Sequence, residues 1–584
     1  MLDFEVDSPT DLKEHGSARS IADGKPTYVS MGWAGSNAVV SMKWDANAMG
    51  WLQEAMTKCD AVVAHNLAYD AQVMKHHAPA AFKELRKKRL SCTICMAAKL
   101  NLPRSLKKLG EYLGCKERKL DFNLSDNGDL FNQHTEEEWL EYVGQDVKAL
   151  AEIYGKIHER ISEQEKQLID LHLRMQLRGL RMDLDMASEI LERHKDIVSK
   201  LDAKFVSLTG LRPQQSIKVG KWFEERIGVK TGSYKKLDQQ FSEEWPDEAK
   251  RAFKLLEKRA RNEIAKLEKL AKYEVNGRYH DFLLHADTVT NRWKGYGVQL
   301  HSCSREGRFR SLVQADEGTR FIVADLSQIE PRIVLWVGGM MDAMKDLHES
   351  DWYMNLAQDI YGSDHDEKRM TELRRRVKQG VIGVTYSAGV ESVRKGIQGT
   401  REEAVQLLSA VKPKLKQITE TSTALWSAWQ SVAAGVKDKQ AVMIGGGIQQ
   451  VMFTRSAKFQ NTIGMKLPTG SMICYRNLVR QPEGDWEYGV GNKPNYMKHP
   501  GTLYEHVCSA TARDILARAM LKIYNRPLLF PVLSVHDEVI VEDRTGEDAA
   551  LEMVRDDMTE PHPKLPGLLI ATKAEFRSRW KEAT

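Results

Sequence analysis

Carboxylates recur at short, regular spacings near the start of the chain. Asp3 and Glu5 are separated by one residue, so on a β-strand both carboxylates project from one face while Phe4 points into the core. Asp70 follows Asn66 by four positions, which puts both side chains on one face if the segment is helical. Pairs of this kind are common as surface charge, so neither pair is specific by itself.

A tyrosine and a further aspartate complete this first set. Tyr142 and Asp146 are four positions apart in an apolar pattern that predicts an amphipathic helix over residues 136–161. Asp146 lies beside Val147 on the apolar side, which favours an inward carboxylate. Clustered buried carboxylates repel one another unless cations lie between them, and divalent metal ions with oxygen ligands are the usual solution. A pair of such ions can activate water for phosphodiester hydrolysis.

A second set of polar residues lies in the second half of the chain. An apolar run ends at Asp325, although a strand-end aspartate is more often only a cap. Residues 531–542 predict a buried hairpin whose tip carries His536, Asp537 and Glu538. Such tips usually hold only turn residues, but the strongly apolar flanks indicate a hairpin that delivers an acid to a defined place.

Between Asp325 and Asp537 in the sequence, four residues recur every four positions. They are Arg374, Lys378, Ile382 and Tyr386. On an α-helix these residues form one slowly drifting face. Two cations at one end and an aromatic ring at the other suit a nucleotide, with the cations on its phosphates. The alternative is a basic surface helix.

The composition limits the class of protein that carries these residues. A chain of 584 residues is too long for one core, so we expect two to four structural units. No apolar stretch approaches the roughly 20 residues of a membrane span, and the acidic N-terminus lacks a secretory pattern. We therefore expect a cytoplasmic protein with no membrane partner. Seven scattered cysteines favour reduced thiols over disulfides.

The pattern of elements predicts an α/β unit over residues 1–165, a largely helical connector over 166–285, and a larger α+β unit from about residue 320 with long helices between residues 351 and 436. The net charge of +5 is only weakly basic, but residues 250–278 concentrate Lys and Arg. This segment is either a salt-bridged surface helix or a helix that follows nucleic-acid phosphates.

The ordered motifs D-x-E, N-x-x-x-D and Y-x-x-x-D resemble the proofreading 3′→5′ exonuclease family. This resemblance implies that four carboxylates bind metal ions and that Tyr142 orients the attacking water. The implied ligands are Asp3, Glu5, Asp70 and Asp146.

The later motifs D-x-S-Q-I-E, R-x-x-x-K followed by Tyr386, and V-H-D-E resemble the A-family (DNA polymerase I-like) DNA polymerases, most closely their bacteriophage-type members. The resemblance implies that Asp325 and Asp537 hold two Mg²⁺ ions, with Mn²⁺ as a substitute, and that the carbonyl of Leu326 is a further ligand. Arg374 and Lys378 would neutralise phosphates, with Lys378 protonating the leaving pyrophosphate.

The resemblance also implies roles around the substrates. Glu330 would exclude a 2′-hydroxyl, and Tyr386 would pack near the nascent base pair beside Ile382. Supporting or substrate-contacting roles fall to Glu538, His536, Gln328, Arg292 and Gln299. The basic segment falls where this family places its thumb, so the phosphate-following interpretation is then preferred.

The expected fold class is α/β plus α+β, with a ribonuclease H-like exonuclease domain followed by a right-hand polymerase. Expected partners are primer–template DNA, deoxynucleoside triphosphates, and a replisome helicase, primase or processivity factor in a bacterial host's cytoplasm. The expected domains are 1–165 exonuclease, 166–290 thumb, 291–345 first part of the palm, 346–437 fingers and 438–584 second part of the palm.

Some positions depart from the family pattern, namely Leu326, Pro331, Ile382, Ser387 and Ser509. None is a metal-binding carboxylate, so we expect activity, and we hypothesise that Ile382 makes dideoxynucleotides poor substrates. Two other functions share part of this pattern. One is a single-subunit RNA polymerase, and the other is a nuclease whose C-terminal half only binds DNA.

Overall fold

The computed structural model describes residues 1–36, 38–120, 134–228, 237, 241, 244–304, 307–459, 461–490 and 494–582. None of the helices in these ranges is both long enough and apolar enough to cross a membrane. All seven cysteines are free thiols.

The helices are α1 Leu12–His15, α2 Ser17–Asp23, α3 Ala46–Lys58, α4 Leu67–His77, α5 Pro79–Leu85, α6 Thr93–Lys99, α7 Leu106–Leu113, α8 Glu136–Ile157, α9 Glu163–Arg178, α10 Leu184–Thr209, α11 Ser216–Ile227, α12 Asp247–Ala260, α13 Ile264–Tyr273, α14 Ile329–Val337, α15 Met341–Glu349, α16 Trp352–Tyr361, α17 Glu367–Thr385, α18 Val390–Ile397, α19 Arg401–Lys414, α20 Lys416–Ala433, α21 Pro500–Tyr524 and α22 Ala549–Thr559.

The strands are β1 Leu2–Asp7, β2 Lys25–Gly32, β3 Val39–Lys43, β4 Ala61–Ala64, β5 Arg89–Cys92, β6 Leu180–Met182, β7 Glu274–Val275, β8 Arg278–Tyr279, β9 Leu283–Leu284, β10 Lys294–Gly295, β11 Val313–Gln314, β12 Arg320–Leu326, β13 Lys439–Ile444, β14 Gln449–Arg455, β15 Ile463–Lys466, β16 Met472–Tyr475, β17 Val479–Arg480, β18 Trp486–Tyr488, β19 Asn495–Met497, β20 Leu529–Val535, β21 Glu538–Asp543 and β22 Thr572–Arg577.

The N-terminal unit is built on an antiparallel sheet, β1-β2-β3, with β4 and β5 as a parallel pair. Leu2 and Phe4 of β1 are buried, while Asp3 and Glu5 project from the other face, as the spacing predicts. Helix α8 packs on β2 and β3. It begins with a capping box in which Thr135 and Glu138 satisfy each other's backbone N–H groups.

The connector is less uniformly helical than its sequence predicts. Helices α9 to α13 are present, but β6, β7 and β8 form a small sheet with β11. The single basic helix expected over residues 250–278 is wrong, since it is divided into α12 and α13 and followed by strands. At the break, the Asn262 side chain accepts a hydrogen bond from the Ile264 N–H at 3.0 Å, and the Glu263 N–H donates to His194 Nδ1 at 3.0 Å. These side-chain contacts replace helical hydrogen bonds.

The C-terminal unit is built on a four-stranded antiparallel sheet in the order β20-β21-β12-β22. The predicted hairpin is confirmed, since β20 and β21 are joined through His536 and Asp537. Helix α21 packs against this sheet and is buried on nearly all sides, so apolar residues surround it instead of forming one stripe.

Helices α16 to α20 form the expected helical segment between the two parts of this unit. Helix α17 carries Arg374, Lys378 and Ile382, but it ends at Thr385. Tyr386 is the C-cap residue, and its N–H donates to the carbonyl of Ile382 at 3.0 Å. Arg374, Lys378 and Ile382 therefore lie in the helix, and Tyr386 directly follows its last residue.

Candidate active sites

Three carboxylates of the first predicted set meet on the N-terminal sheet. Strand β1 presents Asp3 and Glu5, and α8 presents Asp146, so that one oxygen of each lies within 4.8 Å of the others. Asp70 is buried in the first turn of α4 and its charge acts on Asp3. Burial raises the pKa of Asp70 well above its usual value, although the Phe4 N–H stabilises the charged form. Asp70 thus borders the trio.

The electrostatics of this cluster fit a bound cation. Burial, followed by the charges of Asp70, Glu5 and Asp146, raises the pKa of Asp3 well above its usual value. Burial raises the pKa of Glu5 to about 7. Among the described residues, Asp3 Oδ2 and Asp146 Oδ1 are buried without a hydrogen-bond partner. Hard divalent ions prefer this kind of oxygen donor set.

Lys119, which the sequence reasoning missed, lies inside the cluster. Its ammonium donates a hydrogen bond to Asp146 Oδ2 and lies 4.4 Å from the ring centre of Tyr142. Although burial lowers the pKa of Lys119, Asp146 raises it above its usual value. Burial raises the pKa of the Tyr142 phenol to about 12, so that the phenol stays neutral and able to donate a hydrogen bond.

The second set meets at one edge of the C-terminal sheet. Asp325 lies directly opposite Glu538 in the β12–β21 pair. The Leu326 N–H donates to the carbonyl of Asp537 at 3.0 Å. His536 has φ +58°, a left-handed conformation that turns the hairpin tip. The end of β12 and the tip of the hairpin therefore bring Asp325 and Asp537 to neighbouring positions.

Glu538 is held by residues that its motif does not contain. The Trp580 Nε1–H donates to Glu538 Oε1 at 2.6 Å, and an Arg310 nitrogen lies 3.6 Å from the same oxygen. Arg310 also stacks over Trp580, with its guanidinium carbon 4.3 Å from the ring centre. These contacts fix the start of β21 next to Asp537.

A cavity of about 300 Å³ opens beside this edge. Its lining includes Glu330 of α14, whose carboxylate accepts a hydrogen bond from Arg292 at 2.5 Å. Gln328 precedes this helix with φ +53°, and it lines the cavity together with His536 and Asp537.

Tyr386 packs against the first turn of α21. A Cβ atom at Gly501 would lie 2.1 Å from the Tyr386 carbonyl oxygen, so only glycine permits this approach. Burial raises the pKa of the Tyr386 phenol, and the nearby charges of Cys508 and Glu330 act in the same direction. Tyr386 is therefore a neutral aromatic residue close to Glu330.

The two cations of α17, Arg374 and Lys378, lie together two to three turns before Tyr386 in the chain. Arg374 Nε donates to Asp351 Oδ2 at 2.6 Å, and both Arg374 and Lys378 lie 5.8 Å from the ring centre of Tyr353. Ile382, one turn beyond Lys378, is 38% exposed.

Gln299 is exposed and has φ +61° at the start of a short 3₁₀ turn. Within that turn, His301 bonds the Ser534 carbonyl through Nε2 at 3.0 Å and contacts the His536 ring. The segment that carries Gln299 thus lies beside the β20–β21 hairpin.

Comparisons with known proteins find relatives of this chain in sequence and in fold. A family model for the 3′-5′ exonuclease matches residues 11–162, a range that contains Asp70, Tyr142 and Asp146. The chain is 23% identical over 498 residues to the DNA polymerase of Bacillus phage SP02, covering 75% of this chain and 74% of that protein. It is 29% identical over 159 residues to DNA polymerase I of Aquifex aeolicus (strain VF5), covering 26% of this chain and 27% of that protein.

The fold is also that of a solved structure, the POL domain of Pol1 from M. smegmatis in complex with DNA primer-template and dNTP. The TM-score is 0.69 at 15% identity, and the match covers 99% of this chain and 95% of that chain. The predicted fold class is confirmed.

Proposed function

We infer that this chain, which is an A-family DNA polymerase with a 3′→5′ exonuclease domain, extends a DNA primer along a template and hydrolyses the primer end at a second site. The observation that carries this inference is the presence of two separate carboxylate sites. One is the trio of Asp3, Glu5 and Asp146, and the other is the edge where Asp325 and Asp537 meet.

The family is metal-dependent, and we propose Mg²⁺ at both sites, with Mn²⁺ as a substitute. When bound, the ions neutralise phosphate charge and activate an oxygen nucleophile. Asp325 and Asp537, with the carbonyl of Leu326, would hold them at the polymerase site. Asp3, Glu5, Asp70 and Asp146 would hold them at the exonuclease site, where the unpartnered oxygens of Asp3 and Asp146 support the fit.

At the polymerase site, the primer 3′-oxygen attacks the α-phosphate of a deoxynucleoside triphosphate. A new P–O bond forms, and the bond to pyrophosphate breaks. Arg374 and Lys378 neutralise the outer phosphates, and Lys378 gives a proton to the departing pyrophosphate. Arg374 exchanges its contact with Asp351 for the phosphate, and the adjacent Tyr353 ring supports both cations.

The residues at the 300 Å³ cavity and beside it select the nucleotide and contact the DNA. Glu330, fixed by Arg292, lies under the sugar and excludes a 2′-hydroxyl by an unfavourable contact. Tyr386 and Ile382 pack near the new base pair. Gln328, Gln299 and His536 contact the primer–template, and Glu538 positions the hairpin through Trp580.

At the exonuclease site, Tyr142 donates a hydrogen bond that orients the attacking water, and the primer 3′-terminal nucleotide leaves as a monophosphate. Lys119 offsets the repulsion among the carboxylates until the substrate and its ions are bound.

We propose that the units serve as exonuclease domain (1–165), thumb (166–290), palm (291–345 and 438–584) and fingers (346–437). The partners are primer–template DNA and deoxynucleoside triphosphates, together with a helicase, primase or processivity factor of a phage replisome in a bacterial cytoplasm.

Primer extension on a primed DNA template with Mg²⁺ tests the proposal. We expect efficient incorporation of deoxynucleotides and poor incorporation of ribonucleotides, with Glu330→Ala relaxing that preference. Preferred use of ribonucleotides by the wild type would instead favour a single-subunit RNA polymerase. No extension at all would favour a nuclease with a DNA-binding C-terminal half.

A further inference from the structure

A strongly cationic cavity of about 490 Å³ lies between the N-terminal and C-terminal units, apart from both candidate active sites. Cations from α4, α9 and β8, and from the positions directly after α5 and β21, converge on it. They are Lys75, Arg86, Arg174, Arg178, Arg278 and Arg544. Among the described residues that line the cavity, none is acidic.

The carboxylates behind this lining do not balance its charge. Asp170 pairs with Arg174, while Asp316 pairs with Arg178 and Arg278. Glu542 pairs with Arg178 and Arg544. Six cations against three carboxylates leave an excess of three positive charges.

Two of the cations, Lys75 and Arg86, have little negative charge close to them among the described residues. In the part of the chain that the structure describes, neither Lys75 nor Arg86 forms an ion pair with a carboxylate. Among the described residues, the Lys75 ammonium donates only to the Leu177 carbonyl, at 3.2 Å. Burial together with Arg278 lowers the pKa of Lys75 to about 8. The Nε of Arg178 is buried without a hydrogen-bond partner among the described residues. An anion in the cavity would satisfy these groups.

The rest of the described lining is made of three aromatic residues and of Leu85, Leu90 and Leu177. Phe82, Tyr524 and Phe530 line the cavity, and the rings of Tyr524 and Phe530 meet edge to face at 5.8 Å. Arginines bind phosphate groups through paired N–H donors, and aromatic faces stack with nucleobases. The volume lies within the range of roughly 300–1,000 Å³ that is typical of small-molecule sites.

We propose that this cavity is a second nucleotide site, which binds a nucleoside polyphosphate with its phosphates among the arginines and its base against the aromatic wall. It is separate from the polymerase site, because Asp537 and Arg544 flank the two ends of β21, roughly 20 Å apart at about 3.3 Å per residue. It is also separate from the exonuclease site, since Lys75 is five residues beyond Asp70 and faces about 140° away around α4.

The test uses the full chain with ATP as the probe, in EDTA, by isothermal titration calorimetry together with hydrogen–deuterium exchange. The variant is Lys75→Gln with Arg86→Gln, which leaves no carboxylate newly unpaired. The matched control is Lys83→Gln with Arg89→Gln, which removes the same charges from exposed positions of the same segment outside the cavity.

We expect ATP to protect residues 79–90 and 524–530 from exchange in the wild type and in the control. Binding should weaken at least about tenfold in the Lys75/Arg86 variant, because two phosphate contacts are lost. Equal ATP affinity in all three proteins, or no protection of these segments, would overturn the proposal.

Two further probes define the ligand. ATP should bind more tightly than inorganic tripolyphosphate, since only ATP carries a base, and equal affinity would overturn the assignment to a nucleotide. A 5′-phosphorylated oligonucleotide that competes with ATP would identify a DNA end as a source of the same chemistry, and absence of competition would identify the free nucleotide.

Discussion

Arg513 of α21 donates two hydrogen bonds, of 2.8 and 2.6 Å, to the carboxylate of Glu165 at the start of α9. Both side chains are buried, although 348 residues separate them in the sequence. Lys99 and His285 complete the group, at 3.2 and 2.7 Å from the same carboxylate. Because Arg513 also lines the cavity beside Glu330 and Asp537, this buried group links α6 and α9 to α21 next to that cavity.

The first prediction concerns this link. Glu165→Gln should destabilise the chain by about 3–5 kcal/mol, since it removes the buried counter-charge of Lys99 and leaves Arg513 with its longer, 3.4 Å contact to Asp514 in place of two hydrogen bonds to Glu165. Urea-induced unfolding would measure the loss. Glu163→Gln, an exposed glutamate on the same helix, is the control. Equal unfolding midpoints for the two variants would contradict the prediction.

The same carboxylate predicts a pH dependence. Burial alone would raise the pKa of Glu165, but Arg513, Lys99 and the His285 hydrogen bond hold it well below its usual value of 4.5. A depressed folded-state pKa gives stability that is fully present above the unfolded-state value. The advantage of the wild type over Glu165→Gln should therefore shrink as the pH falls below about 4.5.

The second prediction concerns Lys119. Lys119→Gln removes the ammonium that offsets repulsion among Asp3, Glu5 and Asp146. The melting temperature in EDTA should fall, and the increase on adding Mg²⁺ should be larger than in the wild type. Lys116→Gln, at an exposed neighbouring position, is the control. The same Mg²⁺-induced increase in both variants would mean that Lys119 does not substitute for a cation.

The third prediction concerns the contact between α21 and Tyr386. Gly501→Ala should lower kcat/KM for single-nucleotide addition by about tenfold to a hundredfold, since the new Cβ displaces the Tyr386 backbone. Hydrolysis of single-stranded DNA should stay unchanged, which also reports that the variant folds. Gly389→Ala is the control, because a Cβ there meets no atom within 4 Å. Wild-type extension by Gly501→Ala would show that this contact is unimportant.

The fourth prediction concerns α12 and the residue that follows it. Lys254, Lys258 and Arg261 are exposed, and replacing all three by Gln should flatten the salt dependence of duplex DNA binding. If each contacts one phosphate, the slope of log K against log salt should fall by up to about 2.7. The control replaces Lys58, Lys83 and Arg89, which are exposed on the N-terminal unit. An unchanged slope would restore the interpretation of a salt-bridged surface helix.

Local patterns predicted much of this architecture. The alternation around Phe4 gave the correct face for Asp3 and Glu5, and the apolar flanks of Asp537 gave the correct hairpin. In both cases the determining contacts lie within a few residues, where side-chain periodicity is informative.

Contacts set by tertiary packing could not be predicted in this way. Lys119 reaches Asp146 from a segment with no distinctive pattern, and Trp580 reaches Glu538 from a distance of 42 residues. The two-residue strands β7 and β8 are too short to show periodicity. The helix break at Asn262 depends on two side chains, Asn262 and His194, that accept hydrogen bonds from the backbone N–H groups of Ile264 and Glu263, and a run of charged residues conceals it.

The central claim is that one chain performs two reactions at two carboxylate sites, and one paired assay tests it most directly. Wild type, Asp537→Ala and Asp3→Ala are compared on the same end-labelled primer–template with Mg²⁺, with and without deoxynucleoside triphosphates. We expect Asp537→Ala to lose primer extension but still shorten the primer, and Asp3→Ala to extend the primer but not shorten it. Extension at the parental rate by Asp537→Ala, or shortening at the parental rate by Asp3→Ala, would contradict the account.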